Sequence, residues 1–140
     1  MGDLTRFVQA QAPVIETALS ELRAGRKRTH WMWFVFPQLK SLGRSSTAKF
    51  YGLNDLTEAR AYWEHPVLGP RLKECVTAAL AVETRTTHEI FGSPDDLKFC
   101  SCLTLFELAS RDDCFATALE HFYKGRRDEA TLQLVNGALD

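Results

Sequence analysis

Apolar residues recur at helical spacing along nearly the whole chain, and residues that start or stop helices bound each run. Leu4, Phe7 and Val8 follow Asp3, whose carboxylate suits a helix cap. Pro13 falls in the first turn of a segment carrying Val14, Ile15, Ala18, Leu19 and Leu22, which Gly25 closes. Asp55 opens a short helix through Ala59 and Tyr62, and Pro66 opens a longer one with Leu72, Val76, Ala79 and Leu80 as its buried stripe. The clearest start is Ser93-Pro94-Asp95-Asp96, which offers a capping hydroxyl, a proline at the first helical position and two carboxylates at the positive end of the helix dipole. It predicts a helix running to about Ala109. Asp112 or Asp113 caps the next helix, with Phe115, Leu119 and Phe122. Gly125 ends it, and Asp128 caps a last one with Leu132 and Val135. No run alternates polar and apolar residues with β-branched enrichment, so no sheet is predicted. The pattern predicts an all-α, compact single-domain bundle over residues 1–140, with about seven or eight mostly short helices. Its core includes Trp31, Phe34, Leu72, Val76, Leu103, Phe106, Leu119 and Phe122.

Composition narrows what such a bundle can do. A length of 140 residues suits one domain, and 45% apolar residues supply an ordinary core. Seventeen Lys and Arg against eighteen Asp and Glu leave a net charge of −1, which offers no general attraction for nucleic acid or anionic lipid. The basic cluster Arg23, Arg26, Lys27 and Arg28 sits at a helix C-terminus, where dipole complementarity explains it. The segment Met1-Gly2-Asp3-Leu4-Thr5-Arg6 has no apolar core of signal-peptide length, and no run approaches the roughly 18 apolar residues of a spanning helix. The expectation is a cytoplasmic protein with neither a nucleic-acid nor a membrane partner; the sequence sets no oligomeric state. Cys100 and Cys102 stand two apart in a helical run and point to different faces, so they suit no metal pair. With Cys75 and Cys114 they read as free buried thiols. No zinc spacing, glycine-rich phosphate loop or nucleophile elbow occurs, and no cofactor or metal is expected.

Three segments carry candidate chemistry. His30-Trp31-Met32-Trp33-Phe34-Val35-Phe36-Pro37-Gln38 holds two of the three tryptophans and has no amphipathic period. Such a segment is either a central core helix or the wall of an aromatic pocket in which His30 and Gln38 orient a ligand. Leu42-Gly43-Arg44-Ser45-Ser46 sets an arginine and two hydroxyls ahead of a short helical stretch, either as an anion site or as an ordinary cap. His65-Pro66-Val67-Leu68-Gly69-Pro70-Arg71 sets a histidine before a helix start and an arginine one turn in. These are suited to proton transfer and anion binding, or simply to a loop bond and an ion pair. Lys98, with Ser101 and Thr104 near the same helix face, is either a solvated residue or one wall of a site.

These motifs, together with Asp96-Leu97-Lys98, Leu103-Thr104-Leu105-Phe106, Phe122 to Gly125 and Asp128-Thr131-Leu132, resemble the bacterial domain-of-unknown-function family 1810 over nearly the whole chain. The resemblance implies a small, single-domain, all-helical intracellular protein whose activity is not established. Members of that family often carry the label calpastatin, but calpain inhibition belongs to long disordered chains and this one is compact and hydrophobic. A fainter similarity, in Lys49-Phe50, Glu58-Ala59, Leu68-Gly69 and Arg71, is to the N-glycosidase superfamily linked to NAD and ADP-ribose. That superfamily places a glutamate shortly before its Lys-Phe pair. Here Gly43-Arg44-Ser45-Ser46-Thr47 holds no carboxylate, so Glu58, Glu64 or another acid would have to stabilise the developing cation.

Three functional readings follow. The leading one is a pocket walled by Trp31 and Trp33 and rimmed by His30, Gln38, Ser45, His65, Arg71 and Lys98, binding a small anionic or nucleotide-like ligand. The alternatives are an N-glycosidase or hydrolase acting on an ADP-ribose-like substrate, with His65 or His30 in acid–base work, and a structural or protein-interaction domain with no ligand. Convergence of the polar residues on one cleft separates the first two readings from the third.

Overall fold

The computed structural model describes residues 3–139; the expected span of 1–140 extends to residues 1, 2 and 140, which lie outside it. The chain is all-helical. In order it forms α1 (Thr5–Gln11), α2 (Ile15–Arg23), α3 (Met32–Val35), a 3-10 turn (Lys40–Leu42), α4 (Ser46–Phe50), α5 (Leu56–Glu64), α6 (Leu68–Leu80), α7 (Thr87–Phe91), α8 (Asp95–Ser110), α9 (Asp113–Tyr123) and α10 (Glu129–Leu139). Ten α-helices among the described residues exceed the expected seven or eight, and the excess comes from α3, α4 and α7, each of four or five residues. Helices this short are too small to show a period and are held by tertiary packing and caps.

Asp55 and Asp112 cap α5 and α9 as their spacing predicts, accepting from the Glu58 and Cys114 N–H groups at 2.8 and 2.9 Å. Ser93 does not cap α8. The helix begins at Asp95, and the Ser93 hydroxyl donates to Asp96 Oδ1 at 2.9 Å. The far end of α8 is Ser110, where Arg111 turns the chain through the left-handed region at φ 60°.

α8 is the axis of the molecule, packed most closely by α5 and α9, with α7 and α10 also against it. Its six consecutive residues Ser101–Phe106 are all buried, so it is enclosed on every side rather than along a stripe. The two hydroxyls in that run are satisfied by its own backbone, Ser101 donating to the Leu97 carbonyl and Thr104 to that of Cys100. α2 and α6 pack against each other beside this axis. α5 and α6 meet so closely that Gly69 lies directly against the carbonyl of Trp63. Seven of the eight expected core residues are buried, and Phe122 packs against the core while partly exposed. All four cysteines are free, and burial pushes the Cys75 thiol up to about 12 and the Cys100 thiol to about 11.

Candidate functional site

The path toward a site begins at Glu21 in α2. This carboxylate is buried, yet it accepts from the Arg28 N–H at 2.7 Å, the Thr29 N–H at 3.1 Å, the Thr29 hydroxyl at 2.7 Å and Trp31 Nε1 at 2.9 Å. The four bonds fix the loop entering α3 and turn the Trp31 indole inward. Burial pushes the Glu21 pKa up, but the hydrogen bonds outweigh it and hold the group below its ordinary carboxylate value. Because the folded value is the depressed one, the stability Glu21 contributes is fully present above the ordinary carboxylate range and lost as pH falls through the folded value. Urea midpoints measured from pH 7 down to pH 3 should therefore fall more steeply for the native protein than for Glu21→Gln, which starts lower at pH 7 and keeps no such titration.

Beyond α3 the chain runs through Pro37 and Gln38 into an isolated parallel bridge between Leu39 and Leu53. Lys40 N–H donates to the Leu53 carbonyl at 2.7 Å, and Leu53 N–H donates to the Gln38 carbonyl at 2.9 Å. Between these strand-like points the 3-10 turn leads to Gly43, where a side chain would meet the Ala48 Cβ at 2.9 Å. Only glycine lets this turn fold so tightly on α4. Ser45 then caps α4, accepting from the Ala48 N–H at 3.0 Å.

Opposite this segment stands the first turn of α8, and the space between them is a cleft of about 530 Å³. Leu42, Gly43, Ala48, Pro94, Leu97 and Ala130 supply its apolar lining; Gln38, Arg44, Ser45, Lys98, Ser101 and Asp128 supply the polar groups. Two cations and one carboxylate leave the lining net positive by one charge. A hollow of about 10 Å³, water-sized, adjoins it between Met32, Trp33, Phe36, Gln38, Ala48, Tyr51 and Lys98. Lys98 Nζ lies 5.8 Å above the half-buried Trp33 ring and 3.8 Å from Asp95 Oδ1, while the other Asp95 oxygen is held by Lys27 at 3.1 Å. Asp128 enters from the loop before α10. Its N–H donates to Thr104 Oγ1 at 2.9 Å, and its Oδ2 accepts from the Thr131 N–H at 3.0 Å and the Thr131 hydroxyl at 2.5 Å. Arg127 anchors that loop through a two-pronged pair with Glu107 at 2.9 and 2.6 Å.

Of the residues singled out from the sequence, Gln38, Ser45 and Lys98 share the main cleft, and Trp33 joins Gln38 and Lys98 in the adjoining hollow. His30 is exposed with its ring 6.4 Å from that of Trp33. Trp31 is 0% exposed and belongs to the core, 6.0 Å from the Phe36 ring, so it walls no pocket. His65 is a backbone cap, with Nδ1 accepting from the Val67 and Leu68 N–H groups at 3.1 and 3.3 Å. Arg71 lies on α6, which is not among the elements lining the cleft, and its buried Nη1 has no hydrogen-bond partner among the described residues. Asp128 and Ser101 were legible only as a helix cap and as a neighbour of Lys98; no local signal places a cap of the last helix beside residues 38–48.

The protein-family model described as "Protein of unknown function (DUF1810)" matches residues 1–135. The chain is also similar to the conserved hypothetical protein Rv1873 from Mycobacterium tuberculosis, known from a crystal structure at 1.38 Å. The two are 52% identical over 96% of each chain, with a TM-score of 0.94. No curated protein matches. The similarity to N-glycosidases has no counterpart in these matches.

Proposed function

This chain belongs to the DUF1810 family, whose function is unknown, and on that premise we propose that it binds a small anionic or nucleotide-like ligand in the cleft between residues 38–48 and the start of α8. The observation that carries this reading is convergence. Gln38, Arg44 and Ser45 from one segment and Lys98 from α8 meet in one cleft with Leu42, Gly43, Ala48, Pro94, Leu97 and Ala130 as its apolar lining, and its volume of about 530 Å³ suits a small molecule. Arg44 takes no hydrogen bond or ion pair among the described residues, and besides the Trp33 ring Lys98 has a 3.8 Å contact to a carboxylate that Lys27 already neutralises. Both cations are thus available to an anion, while the Gln38 amide and Ser45 hydroxyl can orient it. The same reading takes residues 1–140 as one domain with a single contiguous core, working in the cytoplasm, where four free cysteines are at home.

The test is thermal unfolding with inorganic phosphate and adenosine monophosphate, comparing the native protein with Arg44→Ala/Lys98→Ala. Phosphate stabilises many proteins through exclusion from their surface, and the double variant retains that general part. A specific ligand at 100 times its dissociation constant adds about 2.7 kcal/mol. The expected result is a rise in Tm present in the native protein and reduced to the general part in the double variant; equal rises in both would overturn the proposal.

A further inference from the structure

Resting on that reading, we infer that the cleft selects phosphate monoesters of polyhydroxy compounds, with the phosphate at Arg44 and Lys98 and a ligand hydroxyl donating to Asp128. The cleft lining carries chemically opposite groups. Beside the two cations, Arg44 and Lys98, it holds the carboxylate of Asp128, whose Oδ2 is committed to Thr131 and whose Oδ1 takes no hydrogen bond among the described residues. An ionised carboxylate accepts and cannot donate, so a ligand group that meets it must bring an O–H or an N–H, most simply a hydroxyl or an ammonium. The net positive lining decides between them: a hydroxylated phosphate stays anionic, whereas an added ammonium would cancel the charge that the two cations attract.

The spacing is set by α8. Asp128 is tied through its N–H to Thr104, six residues beyond Lys98, and six residues of helix rise about 9 Å, so we take the ligand to span about that length from Lys98 to Asp128. Inorganic phosphate cannot bridge that distance, and a five- or six-carbon chain of hydroxyls can. Ser101, buried and midway between Lys98 and Thr104 on α8, lines the cleft with its hydroxyl already bonded to the Leu97 carbonyl.

The experiment is calorimetric titration with methyl phosphate and with sorbitol 6-phosphate, a non-reducing polyol ester that does not modify lysine. The native protein is expected to bind the polyol ester about tenfold more tightly, as one hydrogen bond to a charged acceptor provides. Asp128→Ser keeps a good cap for α10, and Asp128→Asn keeps the shape; each should bring the ratio toward one, with methyl phosphate still bound and no more weakly than by the native protein, since a repelling carboxylate is gone. Retention of the tenfold preference in either variant, if it melts like the native protein, overturns the inference. Equal binding of both esters by the native protein, lost in Arg44→Ala/Lys98→Ala, overturns it too but leaves the anion-binding proposal standing. Binding of neither ester overturns both.

Discussion

Trp31→Ala is expected to lower the unfolding free energy by about 3–5 kcal/mol, the usual cost of deleting a large aromatic side chain from a well-packed core. The indole is fully buried between the Phe36 ring and the Lys27 ammonium, the latter 5.3 Å from its centroid. Its removal opens a void and also leaves Glu21 with one fewer donor. Trp31→Phe separates these contributions, because it restores much of the volume without the Nε1–H. It should cost about 1–3 kcal/mol, the range for a buried group that loses its hydrogen bond. Urea denaturation reads both. The response of Trp31→Phe to phosphate should match that of the native protein, since the ring does not reach the cleft. A lost response with an intact fold would mean that Trp31 does act on the ligand.

Gly69→Ala should cost on the order of 3 kcal/mol, the upper part of the usual overpacking range. Within a helix, glycine to alanine ordinarily stabilises by roughly 0.5–1 kcal/mol. Here the sign reverses, because the new methyl would lie 2.0 Å from the Trp63 carbonyl oxygen and 3.0 Å from its carbon. Those are backbone atoms and cannot rotate away, so α5 and α6 must separate. Gly137 in α10 is the internal control, with nothing among the described residues within 4 Å of where its methyl would go. Gly137→Ala should be neutral or slightly stabilising. If thermal melts place the two variants together, the close crossing is not what requires glycine at 69.

Much of the helical plan was legible because it is written in local chemistry. Asp55, Asp112 and Asp128 cap where their spacing says, and Leu72, Val76 and Leu119 fall inward on the stripes that their period defines. α7 was also within reach: Thr86 and Glu89 form a capping box, with bonds of 3.1 and 2.9 Å, in a run too short to display a period. The aromatic segment was not legible in the same way. Trp31 and Trp33 are two apart and look alike on paper, but the buried carboxylate of Glu21, ten residues earlier, decides that the first faces the core. Nor could the sequence tell that His65 and Arg71 lie apart from Lys98. That separation comes from packing α6 against α2 and α5, while Gln38 and Ser45 are carried to α8 by a backbone bridge. Local signals name the residues able to bind an anion; long-range packing chooses among them.

The Leu39–Leu53 bridge has a bearing on motion. It closes residues 39–53 into a loop joined at its base by two backbone hydrogen bonds, and Arg6 fastens the return leg by donating to the Phe50 and Gly52 carbonyls at 2.8 and 3.2 Å. One wall of the cleft is therefore a loop pinned at its base, where Leu39 and Leu53 are buried, whereas the other is the buried axis of the fold. Regions held this way exchange their amide protons through local opening at far lower free energy than global unfolding requires. The exposed residues 44–47 of the first wall should therefore exchange amide protons sooner than Leu103 to Phe106 of the second, so opening at the rim of the cleft and survival of the core are read as separate events.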